Sequence, residues 1–439
     1  NSFCTLLEAT MPTDPQLLTA IAPRVDKHLL LPVLKFASEK SADAALKKQY
    51  SQAVGALTAQ TTMPGDHLSS EQQEEVEKNF GKALKAAGAL IDLYFNNVEG
   101  EGLSLKLIGK EFHEARRAGK FGSTELKENG VKPRNIRALY DVAFALVDSG
   151  NYAQAAAVLK VHNEITVRDA ADADSETNAR VRSALWGQYL CEVLLGERDA
   201  SKHALDQLQQ MLDDRAADEA NKARADLLHW GLFHWFKNRE TSAFLDLLFT
   251  FDKADRSKTY LYANVVQCMA PHLLRYVAIA AVLNKKKRAT LTRAARILDG
   301  DAYHYTDVFT RFLVELCIRT DFGKATALLA ECDKALADDF FAADLRDEFI
   351  ANARQMLFED QLRVRKSLSI ASAASQLGMT TDEAELWLVD LIREAKLDAA
   401  VDSVAGTVRV SGTATQKSVW QHVLDRLENA SGVKSSAMI

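Results

Sequence analysis

Apolar and polar positions alternate with a helical period along most of the chain, and the period changes only near its end. In residues 17–37, Val25, Leu29, Leu30, Val33, Leu34 and Phe36 recur every three to four positions, which marks one buried helix face. Pro32 falls inside this segment and predicts a kink. Residues 41–90 are rich in the helix formers Ala, Glu, Gln and Lys and are broken at Pro64-Gly65-Asp66. Residues 96–134 mix glycine with charge and read as a connector containing some helix.

From residue 136 the pattern tightens into helical hairpins. In 140–160 an apolar helix ends at Gly150 and a second starts after Asn151-Tyr152. Residues 185–211 and 313–336 repeat the scheme. Setting Asn151, Glu197 and Asp321 in register aligns Leu159, Leu205 and Leu329, and also the small residues Ala155, Ser201 and Ala325. A small residue early in the second helix lets two antiparallel helices approach closely, as in tetratricopeptide-like repeats. The repeat is irregular in length. Residues 227–251 carry Trp230, Phe233, Trp235, Phe236, Phe244, Phe249 and Phe251 on nearly every face, which predicts a core helix pair and not a ligand surface.

At residue 367 the pattern changes. Residues 371–377 form a short Ala-rich helix stopped by Gly378, and Thr380 followed by Glu383 is a capping-box signature. The next helix presents Ala384, Leu388, Leu391 and Ile392, with Trp387 beside them. Leu397, Ala399 and Val401 then alternate with polar or small neighbours, residues 403–406 turn, and Val408 and Val410 alternate again. Period-2 alternation around a glycine turn predicts a β-hairpin. Helix, turn, helix and hairpin make a winged helix. Residues 415–430 read as a terminal helix with Val419, Val423 and Leu427 on one face.

Composition sharpens this picture. A chain of 439 residues exceeds what one compact core usually supports, about 250–300 residues, so it divides into domains or extends as a solenoid. None of the seven prolines lies between Pro133 and Pro271 or beyond Pro271, which suits helices joined by short turns. Cys4, Cys191, Cys268, Cys317 and Cys332 are odd in number and widely spaced, arguing against a disulfide framework or zinc site and for reduced thiols in a cytosolic or nuclear compartment. The most apolar stretches are interrupted by His229 and His234, or by His272 and Arg275, and fall short of the roughly 18–20 apolar residues of a membrane span.

The sequence lacks the familiar reactive constellations. No Gly-Lys is placed as in a phosphate-binding loop, and Gly100-Glu101-Gly102 has Leu105 where a dinucleotide fingerprint needs glycine. His113-Glu114 is followed by Arg117 and not by a second histidine. His229 and His234 are five apart and read as core histidines. We therefore expect no enzyme, no cofactor, no metal and no small-molecule substrate.

Charge separates possible partners. The second helix of the winged helix, residues 382–396, carries Asp382, Glu383, Glu385, Asp390 and Glu394 against Arg393 and Lys396. Such a helix is repelled by DNA phosphates, which reward Lys and Arg. Protein is the better partner, reached through the hairpin edge or the terminal helix; candidate contacts are Leu397, Ala399, Val401, Val408, Val410, Val419, Val423 and Leu427. One basic run, Lys285, Lys286, Lys287 and Arg288 with Arg293 and Arg296, is a solvated face or a contact with rRNA or mRNA phosphates.

Several segments resemble the family of e subunits of eukaryotic translation initiation factor 3: DKHLLLPVLKF at 26–36, LWGQYLCEVLLGERDA at 185–200, LLHWGLFHWF at 227–236, QCMAPHLLRYV at 267–277, DDFFAADLRDEFIANAR at 338–354 and LGMTTDEAELWLVDLIREAKLDAAVDS at 377–403. The resemblance is strong over 185–410 and weak over 38–135. It implies a PCI domain, the helical-repeat and winged-helix module shared with the proteasome lid and the COP9 signalosome. It further implies a cytoplasmic scaffold that joins other PCI and MPN subunits on the small ribosomal subunit. The expected fold is all-α: an N-terminal helical region with connector over 1–135, a right-handed tetratricopeptide-like solenoid over 136–366, a winged helix over 367–412, and a C-terminal helix and tail over 413–439. Competing readings are a PCI subunit of the lid or signalosome and, from another class, a winged-helix nucleic-acid regulator.

Overall fold

The computed structural model describes residues 15–41, 44–63, 70–98, 102–106, 110–117, 121–169, 175–213, 217–250, 260–365, 367–377, 379–395 and 399–410. It is helical almost throughout and divides into two compact units. One runs to Leu274 and includes Ala337–Asp344; the other comprises Arg275–Leu336 and the chain from Leu345.

In the first unit, the apolar pattern of 17–37 is split. Pro23 lies in the 3-10 turn Ala22–Arg24, Val25 is extended, and the Asp26 carboxylate accepts the His28 amide at 2.9 Å to start helix Lys27–Lys40. That helix runs through Pro32 and packs on Ala44–Thr58 around Leu30, Leu31, Leu34, Leu46, Tyr50 and Leu57. Strands β1 (Phe95–Val98) and β2 (Gly102–Leu105) pair antiparallel, with Phe95 opposite Leu105. This hairpin stands where sequence suggested only a connector, because Asn96, Asn97 and Gly102 dilute its period-2 signal.

The helical hairpins follow: Pro133–Asp148 with Tyr152–Asp169, Ser175–Leu195 with Arg198–Asp213, and Ala217–Trp235 with Thr241–Leu248. The expected register is visible atom by atom. The amides of Asn151, Glu197 and Asp321 donate back to the carbonyls of Leu146, Glu192 and Glu315. Their own carbonyls accept the amides of Ala155, Ser201 and Ala325. Those three small residues are buried, as are Leu159, Leu205 and Leu329. The preceding residue is left-handed each time: Gly150 at φ 80°, Gly196 at 76° and Thr320 at 55°. This left-handed stop satisfies the last helical carbonyls.

The aromatic segment is core. Phe233, Trp235, Phe236, Phe244 and Phe249 are buried, and Trp235 and Phe236 meet Phe244 with ring centroids 5.1 and 5.9 Å away. Trp230 donates its indole N–H to the Arg24 carbonyl at 2.9 Å. Phe251 lies outside the described residues.

In the second unit, helices Leu274–Leu283, Arg288–Gly300, Val308–Val314, Phe322–Ala337 and Arg346–Arg365 lead into the winged helix. Phe309 and Phe312 pack on Phe349, and Phe358 meets Trp387 edge-on at 5.2 Å. The terminal helix expected over 415–430 lies outside the described residues.

Candidate protein-interaction surface

The winged helix is built as its sequence predicts, with one added strand. Strand β3 (Ser367–Ser369) precedes helix Ile370–Leu377. The capping box then forms: Thr380 donates its amide to the Glu383 carboxylate at 3.0 Å, and the Glu383 amide reaches the Thr380 hydroxyl at 3.4 Å. These bonds from Thr380 hold the Glu383 carboxyl below its usual range. Helix Thr381–Ala395 buries Ala384, Leu388 and Leu391 inward.

The hairpin consists of β4 (Ala399–Asp402) and β5 (Thr407–Val410), with Val401 opposite Val408. Gly406 takes φ 61°, which the tight turn requires. Strand β3 pairs with the other side of β5, Leu368 opposite Val408, so β5 is central and β3 and β4 are the edges. A three-residue strand is too short to leave a periodic signal, and this is why sequence missed it.

This topology sorts the predicted contact residues. Val408 is fully buried, so it supports the sheet from beneath. Ala399 and Val401 lie half-buried on edge strand β4, and Val410 pairs with Ala399 through the backbone. Leu397, Val419, Val423 and Leu427 lie outside the described residues. Two exposed apolar residues went unforeseen: Leu386, 69% exposed on the outer face of helix Thr381–Ala395, and Val404, fully exposed at the hairpin tip. Leu386 lies off the Ala384-Leu388-Leu391 stripe, a displacement that could have flagged it. Asp382, Glu383 and Asp390 accompany it on the exposed surface, with Arg393 paired to Asp390 at 3.6 Å. The outer face is thus acidic around an apolar residue.

The basic run divides in two. Lys285 is half-buried and donates to the Gln355 side chain, and burial lowers its pKa. Arg288 binds Glu359 and approaches Asp360 at 3.6 Å. Both residues therefore tie the turn to helix Arg346–Arg365. Lys286, Lys287, Arg293 and Arg296 are exposed. No single helix among the described residues is long and apolar enough to cross a membrane.

Comparison with known proteins agrees with this architecture. The PCI domain model matches residues 329–411, which take in the last solenoid helices and the winged helix. The e subunit of eukaryotic translation initiation factor 3 from Arabidopsis thaliana is 29% identical over 443 residues, spanning 94% of this chain and 93% of its own. Its counterpart from Bombyx mori is 33% identical over 318 residues, 71% of this chain and 67% of its own. The chain belongs to the family of e subunits of eukaryotic translation initiation factor 3. The Neurospora crassa member is 28% identical over 94% of this chain. Membership in this family makes the chain a scaffold subunit of a multisubunit translation initiation factor.

Proposed function

We propose that this subunit is non-catalytic and grips neighbouring PCI and MPN subunits of factor 3 through the free edges of its winged-helix sheet, helping to hold the factor on the small ribosomal subunit in the cytoplasm. The observation that carries the reading is the sheet order β3-β5-β4 beside an acidic, partly apolar helix face. Edge strands offer unpaired backbone groups to another sheet. The exposed carboxylates Asp382, Glu383 and Asp390 oppose a polyanion. That combination favours protein over duplex DNA and disfavours the nucleic-acid regulator. The names of the relatives favour factor 3 over the lid or signalosome.

Edge strand β4 provides the test. Ala400 is exposed on it, and a lysine there blunts strand-to-strand pairing without touching the core. The Ala400→Lys chain should fold normally yet recover far fewer factor-3 subunits from cytosol than wild type. Equal recovery would overturn the edge-pairing reading.

A further inference from the structure

The outer face of helix Thr381–Ala395 and the tip of the β4–β5 hairpin carry apolar residues that neither the core nor the sheet edges use. Leu386 and Val404 are both exposed. Successive residues on a helix are about 100° apart, so Asp382, Glu383, Asp390 and Arg393 all fall within about 60° of Leu386. All four are exposed. Ala384, Leu388 and Leu391 turn away into the core.

The hairpin tip is fastened to this helix. Ser403 donates its hydroxyl to the Glu385 carboxylate, and the Ala405 amide donates to the Asp402 carboxylate at 2.9 Å. Leu386 and Val404 each follow one member of the Glu385–Ser403 pair in sequence. Two elements therefore present apolar side chains beside one fixed contact. Turns ordinarily carry Gly, Pro, Asn, Asp or Ser, and a valine wholly in water there buries nothing. Exposed apolar residues gathered within a polar rim mark protein contact sites.

Charge decides what that contact accepts. Among the described residues of this helix face, three carboxylates stand against one cation, Arg393, which lies 3.6 Å from Asp390. Asp402 adds an exposed carboxylate beside Ser403. A polyanion or an acidic protein is repelled here, and a basic partner is drawn in. An amphipathic helix displays its apolar residues in one stripe with polar residues on its flanks. With cations on those flanks, it is the complement of Leu386 and Val404 within their carboxylate rim.

We propose that this face binds a basic amphipathic helix of a protein partner. Apolar anchors of that helix rest on Leu386 and Val404, and its lysines or arginines meet Asp382, Asp390 and Asp402. The inference rests on reading the winged helix as a protein-binding module, and it gives the helix face a partner separate from any strand added at β3 or β4. Leu386 and Val404 lie outside the strands, so the two contacts are broken by different substitutions.

The test is fluorescence anisotropy of the purified full chain with a fluorescein-labelled peptide of leucine, lysine and alanine, about 18 residues long with leucines three and four apart, across a salt series. Wild type should bind, more weakly as salt rises. Permuting the peptide so that its leucines no longer share a face should weaken binding by about tenfold or more. Changing Leu386 and Val404 together to serine should weaken it by about tenfold or more, with the salt dependence unchanged. Asp382→Asn with Asp390→Asn should weaken it by about threefold or more and flatten the salt dependence. All four positions are exposed, so melting should change little. Ala400→Lys should bind the peptide like wild type. The proposal is overturned if wild type does not bind, if the permuted peptide binds as well, or if either double variant binds like wild type. It is equally overturned if Ala400→Lys abolishes peptide binding, which would put the peptide on the sheet edge. Failure of the edge reading is seen separately, in the subunits that Ala400→Lys recovers from cytosol.

Discussion

The Glu192 carboxylate is among the most constrained charges in the first unit. Its Oε1 accepts from Gln188 at 2.8 Å, Gln188 accepts from Asn163 at 2.7 Å, and all three side chains are buried. Oε2 is buried with no hydrogen-bond partner among the described residues. Burial raises the Glu192 pKa from 4.5 to about 7, against the lowering effect of the Gln188 bond. The folded chain thus holds this proton longer than the unfolded chain does. Its contribution to stability is complete below pH 4.5 and is lost as pH rises through 7. Histidines act in the opposite sense. His229 donates Nδ1–H to the Ala225 carbonyl at 2.6 Å and accepts from His272 at 2.7 Å. Burial lowers the two to about 3 and about 4, so their contribution is whole above pH 6.5 and is lost as pH falls through those values. Glu192→Gln should therefore be more stable than wild type at pH 8, by on the order of 2–3 kcal/mol, with the gap closing near pH 4.5 in denaturant titrations. Packing is as position-specific as charge. A Cβ on Gly231 would lie 2.4 Å from the buried Trp235 ring, so Gly231→Ala should cost about 1–3 kcal/mol. Gly55 has open space around it in helix Ala44–Thr58, and Gly55→Ala should gain about 0.5–1 kcal/mol. Melting temperatures of the pair test both signs. Part of this was legible in sequence: His229 and His234 read as core histidines and are buried, whereas His272 and Ser201, which meet them, come from distant segments that no local pattern announces.

Element ends were far more legible than individual contacts. Gly150 and Gly196 announced their helix stops because only glycine adopts positive φ without strain. Thr380 and Glu383 announced a helix start because their reciprocal bonds are encoded three residues apart. Thr320 escaped this logic. It holds φ 55° although it is β-branched, and it follows the π-helical turn Glu315–Arg319, so the Asp321 amide reaches back six residues and not five. Thr320→Asn, a residue that tolerates this conformation, should relieve strain and raise stability by about 1 kcal/mol, as a thermal or denaturant midpoint would register. The two unforeseen strand features, the β1–β2 hairpin and β3, have a common cause. Short strands with Asn, Ser or Gly carry too few apolar positions for a period to emerge, and it is pairing with a partner strand that fixes them. That gap mattered for the site: without β3, β5 looked like an edge, whereas β3 and β4 hold that role.

At the scale of the whole chain, composition and topology point the same way. Helical hairpins joined by short stops need few prolines, and the described residues of both units are built that way, with the PCI match at 329–411. The segment of strongest family resemblance in sequence, 185–410, contains nearly all of that module. The chain is net negative at −6, which disfavours the chain as a whole as a binder of polyanions. Assembly into factor 3 is tested by purification of the tagged full chain from cytosol with mass spectrometry, with and without nuclease. Other factor-3 subunits should co-purify in both samples, and small-subunit ribosomal proteins should fall away after nuclease. Recovery of proteasome-lid or signalosome subunits in their place, or of no other component of factor 3, would show that the chain does not work as a factor-3 subunit.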